Sequence, residues 1–586
     1  MTTQKINITL NGYNVKVDKG TMILDAAKEN GIIIPTLCYH KDLCVAGNCR
    51  VCVVEVAGQK RLSAACATPC EEGMEVMTNS LRVRNSRKHI IELLLSEHNA
   101  DCTKCYRNGS CELQELASEY KIMTQDFIEL VPFKTYTIDM FSPSIIKDDS
   151  KCIRCQRCVR TCSELQGVNA LTVSHKGDLM KITTFMEKPM SAVVCTNCGQ
   201  CVNHCPTGAL VEKNYIEEVW EAIANPDKHV VVQTAPAVRI GLGEELGFMP
   251  GTRNTGKMVA ALKRLGFDSV LDTDFTADLT IMEEGTELLG RLKKALVDKD
   301  PDVKLPMATS CSPGWIKYIE HMYPEYLGNL STCKSPQQMF GALVKTYYAK
   351  ARNLDPSKIV SVSIMPCTAK KFECSRPEMA PGHIPDVDYV LTTRELGQLL
   401  RMFGIDLAAM EPEGADTPFG ERSSAGKIFG ASGGVMEAAV RSAYFLITGK
   451  EYPDLKIQPI RGMHGCKEVR LNIDGLELGA AVVSGLGQAR KLLDQIKAGR
   501  KDLHFIEVMT CPGGCINGGG QPLKADLEAV KSRMQALYKI DREEQLRVSH
   551  RNKWVLRLYE EFLGKPLSET SHRLLHTHYA QRDVLL

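Results

Sequence analysis

Two runs of cysteines with the same spacing constrain this 586-residue chain more than any other feature. Each run reads C-x2-C-x2-C-x3-C, and a proline follows the second run directly. The eight residues are Cys152, Cys155, Cys158, Cys162, Cys195, Cys198, Cys201 and Cys205. Four thiolates at this spacing suit a 4Fe–4S cluster, so the repeat predicts two such clusters in one small unit. Zinc or chance explains a repeat of this kind poorly.

The repeat resembles that of two-cluster bacterial ferredoxins, in which the fourth cysteine of each run binds the cluster of the other run. One predicted ligand set is therefore Cys152, Cys155, Cys158 and Cys205. The other is Cys195, Cys198, Cys201 and Cys162. Two clusters held in this way form an electron relay, so any substrate chemistry must lie elsewhere in the chain.

The use of cysteine also indicates the compartment. The chain has 24 cysteines, and 17 of them lie between Cys38 and Cys205. The N-terminal MTTQKINITL lacks the apolar core of a secretory signal, and no run approaches the ~18 apolar residues of a membrane span. We therefore expect a cytoplasmic protein whose thiols are metal ligands or catalytic groups. The net charge of +2 argues against a nucleic-acid binder.

The first 80 residues predict a small sheet that carries a further cluster. Asn11–Gly12 between two alternating runs indicates a β-hairpin, and a helix is expected over residues 21–30, ending at Gly31. One close cysteine pair with two distant cysteines suits a 2Fe–2S cluster, which takes two thiolates per iron. The four residues are Cys38, Cys49, Cys52 and Cys66. A structural zinc site is the alternative.

A third set of ligands follows a predicted helix over residues 81–96. Three cysteines after this helix need a fourth ligand, and a histidine lies in register just before them. The set is His98, Cys102, Cys105 and Cys111. One neutral imidazole makes a 4Fe–4S cluster less negative than four thiolates would, which changes its potential. A zinc site with three cysteines and one histidine is the alternative.

The C-terminal half predicts an α/β domain with thiol-bearing loops. Residues 229–233 (HVVVQ) resemble a buried parallel strand, and residues 256–265 resemble an amphipathic helix. The glycines after this strand miss the dinucleotide fingerprint, so no nucleotide site is expected. The informative cysteines lie in residues 309–315 (TSCSPGW), 365–371 (MPCTAKK) and 507–522 (EVMTCPGGCINGGGQP). The glycines of the last segment would let backbone approach a bulky inorganic group.

On these three segments the chain resembles an FeFe-hydrogenase along nearly its whole length. The resemblance implies an H-cluster, which is a 4Fe–4S cubane joined through one cysteine to a di-iron subcluster with CO, cyanide and azadithiolate ligands. By position, Cys367 and Cys511 would ligate the cubane, Cys515 would bridge the two parts, and Lys370 would hydrogen-bond a cyanide. The residues implied around the di-iron unit are Pro236, Ala237, Gln337, Met365 and Met509.

One departure concerns the first segment, where this family usually has two adjacent cysteines. Here the pair is Cys311 and Ser312, so serine occupies the usual position of a cubane ligand. Three alternatives are open: Ser312 coordinates, the loop shifts so that Cys311 coordinates, or the cubane has another fourth ligand. A thiolate is the softer and better iron ligand. By position, Cys311 is interpreted as a proton relay and Ser312 as the metal ligand.

The resemblance also implies a path for protons. Residues 275–287 resemble the family segment that supplies two relay glutamates, here Glu284 and Glu287. Ser331 would lie between them and Arg291 near the mouth, one helical turn from Glu287. The alternative for a helix reading EExxE is a solvated face. Buried carboxyl groups with raised pKa values would pass protons near neutral pH.

The predicted fold class is multidomain, combining α+β and α/β parts. We expect a β-grasp 2Fe–2S domain at residues 1–80, a His-ligated 4Fe–4S segment at 81–140 and a two-cluster ferredoxin domain at 141–215. A two-lobed α/β H-cluster domain should occupy 216–525, and a small helical segment 526–586. In that tail, His572 and His576 are interpreted as a solvated helix face.

The predicted function is reversible H2 oxidation and proton reduction, with H2 and protons as substrates. Electrons would pass in series through one 2Fe–2S and three 4Fe–4S clusters to ferredoxin, or to partner subunits that bind flavin, NAD(P) and a 2Fe–2S cluster. Two alternatives are a non-catalytic sensory or cluster-assembly relative, and the iron–sulfur subunit of a complex-I-like or formate dehydrogenase assembly. No role is assigned to Cys44, Cys70, Cys333, Cys374 or Cys466.

Overall fold

The structure is a computed structural model, and it describes residues 4–123, 127, 136–453, 455, 457, 460–473 and 475–583. Parts of the predicted second domain, residues 124–126 and 128–135, lie outside the described residues. Among the described residues, none of the helices combines the length and the apolarity needed to cross a bilayer.

The N-terminal domain has the mixed five-stranded sheet expected of a β-grasp fold. Its elements are β1 (Lys5–Leu10), β2 (Tyr13–Asp18), α1 (Ile23–Glu29), β3 (Val53–Val56), β4 (Ser63–Ala64) and β5 (Glu75–Met77). The strand order is β2-β1-β5-β3-β4, and β1 runs parallel to β5. The predicted hairpin joins β1 to β2, with Asn11 and Gly12 both at positive φ.

The next two segments are short elements around cysteine loops. The second segment contains α2 (Leu81–Ser96) and α3 (Glu112–Glu119). The unit that carries the cysteine repeat contains β6 (Ile138–Asp139), β7 (Ile145–Asp148), α4 (Arg157–Arg160), β8 (Thr172–Ser174), β9 (Lys181–Thr183), α5 (Gln200–His204) and β10 (Leu210–Glu212). Its strands form the sheets β10-β7-β6 and β8-β9.

The large domain has two four-stranded sheets, as the prediction of two lobes requires. The first is wholly parallel with the order β12-β11-β14-β15, and in the second, β13-β18-β17-β16, only β16 is antiparallel to its neighbour. The strands are β11 (His229–Thr234), β12 (Ser269–Asp272), β13 (Met307–Ala308), β14 (Ile359–Met365), β15 (Tyr389–Thr392), β16 (Cys466–Ile473), β17 (Leu476–Ser484) and β18 (Phe505–Met509).

Helices cover both sheets. They are α6 (Ile216–Ala224), α7 (Val238–Gly241), α8 (Thr255–Leu265), α9 (Asp274–Leu292), α10 (Pro313–Met322), α11 (Pro336–Leu343), α12 (Ala349–Arg352), α13 (Ala369–Cys374), α14 (Thr393–Met402), α15 (Gly434–Thr448) and α16 (Leu486–Lys497). Apolar residues of α8 and α14 pack on the first sheet, and apolar residues of α9 and α15 pack with the second sheet. The hydrophobic cores therefore lie between the sheets and their helices.

The C-terminal segment packs tightly on the large domain. Its helices are α17 (Leu527–Glu543), α18 (Lys553–Leu558) and α19 (Glu569–Leu575). The predicted solvated face is wrong for His576, which is buried and whose ring lies 3.0 Å from a carboxylate oxygen of the buried Glu283. His572 is exposed. The helical spacing of the two histidines gave no information about a partner 293 residues away.

A buried ion network joins α15 to α17. The Arg441 guanidinium is fully buried, donates to both oxygens of Asp541 at 3.1–3.2 Å and also pairs with Glu437. Removing one partner of such a network leaves the other charges buried without compensation, at a cost of about 3–5 kcal/mol.

We therefore expect Arg441→Met to lower the thermal unfolding midpoint of the large domain by several degrees or more. Calorimetry of the holoprotein measures this. The matched control is Arg557→Met, because the Arg557–Glu561 pair is exposed and should contribute little to stability. An unfolding midpoint for Arg441→Met equal to that of the control variant would show that the network is not needed for stability.

Candidate active site

The three cysteine-bearing segments begin where strands end. Cys311 lies just after β13, Cys367 just after β14 and Cys511 just after β18. β13 and β18 are parallel neighbours, and β14 is a central strand of the first sheet. The carboxyl ends of parallel strands meet at one edge of a sheet, which is where ligand sites of α/β folds form. The two sheets thus bring loops that are far apart in sequence to one place.

A cavity of about 100 Å³ lies between these loops. Its lining includes Cys311, Ser312, Cys367, Lys370 and Cys515. All five residues predicted to surround the di-iron unit also line it, namely Pro236, Ala237, Gln337, Met365 and Met509. Three residues on its wall that sequence reasoning missed are Phe429, Gly430 and Val435.

The glycines of the third segment let its backbone sit directly against the second segment. A Cβ atom at Gly518 would lie 2.0 Å from the Pro366 carbonyl oxygen, and one at Gly520 would lie 3.1 Å from the Cys367 amide nitrogen. Gly514 has a φ of 99°, a conformation that favours glycine. These contacts fix Cys511 and Cys515 close to Cys367.

The thiols of this site are buried together. Burial raises the pKa of Cys511 well above its usual value, and the neighbouring thiols of Cys367, Cys198 and Cys515 raise it further. Burial likewise raises the pKa of Cys515 to about 12, with a smaller contribution from Cys367. Thiols this close together are hard to ionise, but a soft metal ion stabilises their thiolate forms. The cysteines of this site therefore fit an iron–sulfur cluster.

Lys370 is held at the cavity by a carboxylate that sequence reasoning missed. Its Nζ atom donates to Glu373 Oε2 at 2.8 Å and to the Cys311 carbonyl at 3.1 Å. The same oxygen of Glu373 accepts from Ser335 Oγ at 2.9 Å and from Gln337 Nε2 at 3.2 Å. Lys370 and Glu373 lie three residues apart on α13. Their helical spacing in MPCTAKKFE could therefore have predicted this ion pair.

Cys311 and Ser312 face different neighbours. The Ser312 hydroxyl is 2.7 Å from the Thr510 hydroxyl and accepts from the Thr510 amide at 3.2 Å, so it lies beside the Cys511 loop. Burial raises the pKa of the Cys311 thiol well above its usual value, and Glu284 raises it further. Ser312 is therefore on the cubane side of the predicted site, and Cys311 is on the side of the glutamates.

The predicted proton-path residues lie next to one another. Ser331 Oγ donates to Glu287 Oε2 at 2.8 Å, and the Arg291 guanidinium pairs with Glu287 Oε1 at 2.7 Å. Burial raises the pKa of Glu284 to about 8, the Glu287 charge raises it further, and a hydrogen bond from Ser331 opposes the shift. The alternative of a solvated EExxE face is wrong for Glu284, which is only 2% exposed.

The cysteine repeat forms one buried unit in which the two runs cross. The thiol of Cys205 acts electrostatically on Cys152, Cys155 and Cys158, and it raises their pKa values after the larger effect of burial. The corresponding neighbours of Cys162 are Cys195, Cys198 and Cys201. The geometry therefore supports the predicted exchange of the fourth cysteines.

The second run packs directly on the cavity loops. Gln200 Nε2 donates to the Asn517 carbonyl at 3.0 Å, and Thr368 Oγ1 donates to the Asn197 carbonyl at 2.7 Å. Gly199 and Gly519 pack against each other, since a Cβ at Gly519 would lie 2.8 Å from Gly199 Cα. A cluster on the second run would thus be the neighbour of the cavity.

The two N-terminal ligand sets both contact the unit that carries the cysteine repeat. Arg160 donates to the carbonyls of Cys38 at 2.6 Å and Cys155 at 3.4 Å, so the loop predicted to hold a 2Fe–2S cluster contacts the repeat directly. A Cβ at Gly208 would lie 2.7 Å from Cys105 Sγ, which places the third set beside the same unit. Both sets therefore pack on the repeat and share one hydrophobic core, and the order of the clusters in series stays a prediction.

The donor atoms of both N-terminal sets fit iron. In the first set, the Cys49 amide donates to Cys38 Sγ at 3.5 Å, and the sulfur atoms of Cys52 and Cys66 lie 3.4 Å apart. In the third set, His98 Nδ1 is buried and has no hydrogen-bond partner within the part of the chain that the structure describes. Burial lowers the pKa of His98 to about 4, which keeps the imidazole neutral, as a metal ligand must be.

Comparison with known families assigns each part of the chain. Residues 228–519 match the iron only hydrogenase large subunit, C-terminal domain, and residues 527–582 match the iron hydrogenase small subunit. Residues 3–80 match a 2Fe-2S iron-sulfur cluster binding domain. Residues 87–126 match the NADH-ubiquinone oxidoreductase-G iron-sulfur binding region, and residues 142–211 match the ferredoxin-like domain of NADH-quinone oxidoreductase subunit 3. The alternative of a complex-I-like or formate dehydrogenase subunit is wrong for the chain as a whole, because the hydrogenase match follows these domains.

Individual relatives cover almost the whole chain. It is 52% identical to the NADP-reducing hydrogenase subunit HndD of Solidesulfovibrio fructosivorans, over 99% of this chain and 100% of that protein. It is 40% identical to iron hydrogenase 1 of Clostridium pasteurianum, over 98% and 99% of the two chains. A structure of an apo FeFe-hydrogenase HydA1 variant from Chlamydomonas reinhardtii matches with a TM-score of 0.56 and 40% identity, covering 62% of this chain and 98% of that one. The chain therefore belongs to the FeFe-hydrogenase family and is a hydrogenase whose N-terminal iron–sulfur domains relay electrons.

Proposed function

We propose that this hydrogenase is the H2-activating subunit of a multisubunit, NAD(P)-linked enzyme. The observation that carries the proposal is the 52% identity to a subunit named NADP-reducing hydrogenase along the full length of both chains. The N-terminal matches to NADH-quinone oxidoreductase domains support a flavin- and NAD(P)-binding partner with its own 2Fe–2S cluster, while ferredoxin is a second electron carrier. The thiol-rich composition supports a reducing, cytoplasmic location.

The proposed ligand sets follow the geometry. One 2Fe–2S cluster would be held by Cys38, Cys49, Cys52 and Cys66. Three 4Fe–4S clusters would be held by His98 with Cys102, Cys105 and Cys111, and by the two crossed sets of the repeat. The H-cluster cubane would take Cys367, Cys511, Cys515 and Ser312. The proposed domain limits remain 1–80, 81–140, 141–215, 216–525 and 526–586.

The H-cluster supplies the reversible reaction between two protons, two electrons and H2. The chain's own groups do the rest in this proposal. Lys370, anchored by Glu373, presents an ammonium group to the cavity. Five other lining residues limit the access of water to the cavity, namely Pro236, Ala237, Gln337, Met365 and Met509. Cys311 receives or donates protons at its thiol, and Glu284, Ser331 and Glu287 pass them toward Arg291 and solvent.

Affinity purification under gentle conditions, followed by mass spectrometry and assay, tests the partner. We expect co-purified subunits that carry flavin and bind NAD(P), and H2-dependent reduction of NAD+ or NADP+ by the complex. The isolated chain should reduce an artificial dye but neither nucleotide. Reduction of NAD(P)+ by the isolated chain would contradict the proposal, as would a native preparation without any flavin subunit.

Ser312→Cys is expected to strengthen the cubane, because a thiolate is a softer iron ligand than a hydroxyl group. The variant should lose iron to a chelator more slowly than the wild type and keep its H2 evolution. Ser312→Ala, which keeps the helix but removes the oxygen, should lose iron faster. Iron content during chelator challenge and the EPR signal of the cubane measure both effects. Equal iron loss from all three proteins would show that residue 312 is not a ligand.

A further inference from the structure

The outer end of the glutamate path carries a group of three metal-type donors, of which the proposed function uses only Glu287. These are Cys333 Sγ, His576 Nδ1 and a carboxylate oxygen of Glu287, which all lie within 4.8 Å of one another. Cys333 Sγ is 3.9 Å from Glu287 Oε2 and 4.0 Å from His576 Nδ1. Ligands of a tetrahedral zinc ion with the usual bond lengths stand about 3.6 Å apart, and the two distances from Cys333 Sγ exceed this by a few tenths of an ångström.

The backbone holds two of these donors in place. Cys333 and His576 form an isolated antiparallel bridge between the loop before α11 and the chain after α19. The Lys334 amide donates to the Leu575 carbonyl at 2.7 Å, and the Thr577 amide donates to the Thr332 carbonyl at 2.8 Å. The donors are therefore preorganised by main-chain hydrogen bonds, which lowers the cost of binding an ion.

The contacts of His576 with Glu283 resemble those that surround zinc-bound histidines. His576 Nε2 is 3.0 Å from Glu283 Oε2, and Nδ1 lies 2.8 Å from the Thr332 hydroxyl, which a metal ion at Nδ1 would displace. Glu283 is itself fixed, because it accepts from the Tyr559 hydroxyl at 2.6 Å and from the Leu567 amide at 2.9 Å. A carboxylate that orients the far nitrogen of a histidine fixes its tautomer and makes it a stronger ligand.

The local charges favour a cation. Charges on Glu287, Glu284 and Glu283 raise the pKa of the Cys333 thiol in addition to the larger effect of burial. The carboxylates of Glu287 and Glu283 would attract a divalent ion at neutral pH. Arg291 pairs with Glu287 Oε1, so Oε2 is the oxygen that faces Cys333. The Glu287 side chain is 10% exposed, so the three donors can be reached from the surface.

We propose that Cys333, His576 and Glu287 form a Zn2+ site at the outer end of the proton path, and that zinc bound there slows H2 turnover. A thiolate, an imidazole and a carboxylate are ligands that zinc prefers, with water as the fourth. Cys333 loses its thiol proton to solvent when zinc binds. Slower turnover follows because Glu287 then binds zinc instead of protons, and this second part rests on the proposed proton path.

The test uses the complete, cofactor-loaded protein equilibrated with ZnCl2 and then desalted. We expect one more zinc per chain in the wild type than in Cys333→Ala, measured by elemental analysis. Zinc K-edge X-ray absorption should show one sulfur ligand at about 2.3 Å in the wild type. Cys466→Ser is the matched control, since Cys466 is exposed on β16, and it should bind zinc like the wild type.

Glu283→Gln keeps all three ligands and changes only the support of His576, so it covers the case in which Cys333→Ala does not fold. Its zinc affinity should fall about 10–100-fold. Equal zinc content in the wild type and Cys333→Ala, or zinc without a sulfur ligand, would overturn the site. If zinc binds through sulfur while the H2 evolution rate is unchanged, the slowing of turnover by zinc is overturned, whereas the partner assay above is independent of zinc.

Discussion

Glu284→Gln is expected to reduce H2 evolution and H2 oxidation about 10²–10⁴-fold, the usual range for removal of a group that transfers protons. Glu284 is buried between the Cys311 thiol and the Ser331–Glu287 pair. Its Oε2 atom has no hydrogen-bond partner within the described part of the chain. This oxygen of the Glu284 carboxyl group can therefore accept and donate a proton. Glutamine has nearly the same shape but cannot exchange a proton.

The raised pKa of Glu284 also predicts how the rates of H2 evolution and H2 oxidation change with pH. Because the pKa of Glu284 is raised to about 8, the carboxyl group is mostly protonated at neutral pH and loses its proton as the pH rises through 8. Proton delivery should therefore fall about tenfold per pH unit above 8 in the evolution direction, while acceptance of protons in the oxidation direction should improve. Glu287→Asp keeps a carboxylate close to Glu284 and should keep the inflection near the same pH.

Rates measured against pH, together with infrared bands of CO and cyanide, separate proton transfer from loss of the cofactor. Glu284→Gln should retain the bands and lose the rate. Glu421→Gln is the matched control, since Glu421 is exposed and lies outside the path, and its rate should equal that of the wild type. A Glu284→Gln protein with normal bands and a normal rate would exclude Glu284 from the path.

Local patterns in the sequence predicted the parts of the molecule that local chemistry determines. Asn11–Gly12 predicted the first hairpin because both residues tolerate positive φ. The ligand groups of the clusters stay predictions that rest on the cysteine spacing. The placement of Cys367 and Cys511 after parallel strands followed from the general geometry of α/β folds.

Contacts between distant segments could not be predicted in the same way. Periodicity shows which face of a helix is apolar, but it does not show which polar face another segment will cover. His576 was expected in solvent, but it is buried beside Glu283, which lies 293 residues earlier in the chain. The direct contact of the Cys38 loop with Cys155 through Arg160 likewise depends on how whole domains pack.

The hydrogen chemistry depends on the convergence of three loops on one cavity, and Cys515 is the residue that tests this most directly. Cys515 lines the cavity, is electrostatically coupled to Cys367 and lies at the predicted junction of the two parts of the H-cluster. Serine at this position keeps the size of the side chain but offers a harder, weaker ligand for iron.

We expect Cys515→Ser to lose H2 evolution entirely and to lose the infrared bands of CO and cyanide. The EPR signals of the 2Fe–2S and 4Fe–4S clusters in the N-terminal domains should remain, because their ligands lie in other domains. Cys374→Ser is the matched control: the Cys374 sulfur donates to the Lys371 carbonyl at 3.1 Å and is not a proposed ligand, so the rate and bands of this variant should equal those of the wild type. Normal CO and cyanide bands in Cys515→Ser would show that the di-iron unit is anchored elsewhere, because Cys515 is the proposed ligand that joins this unit to the cubane.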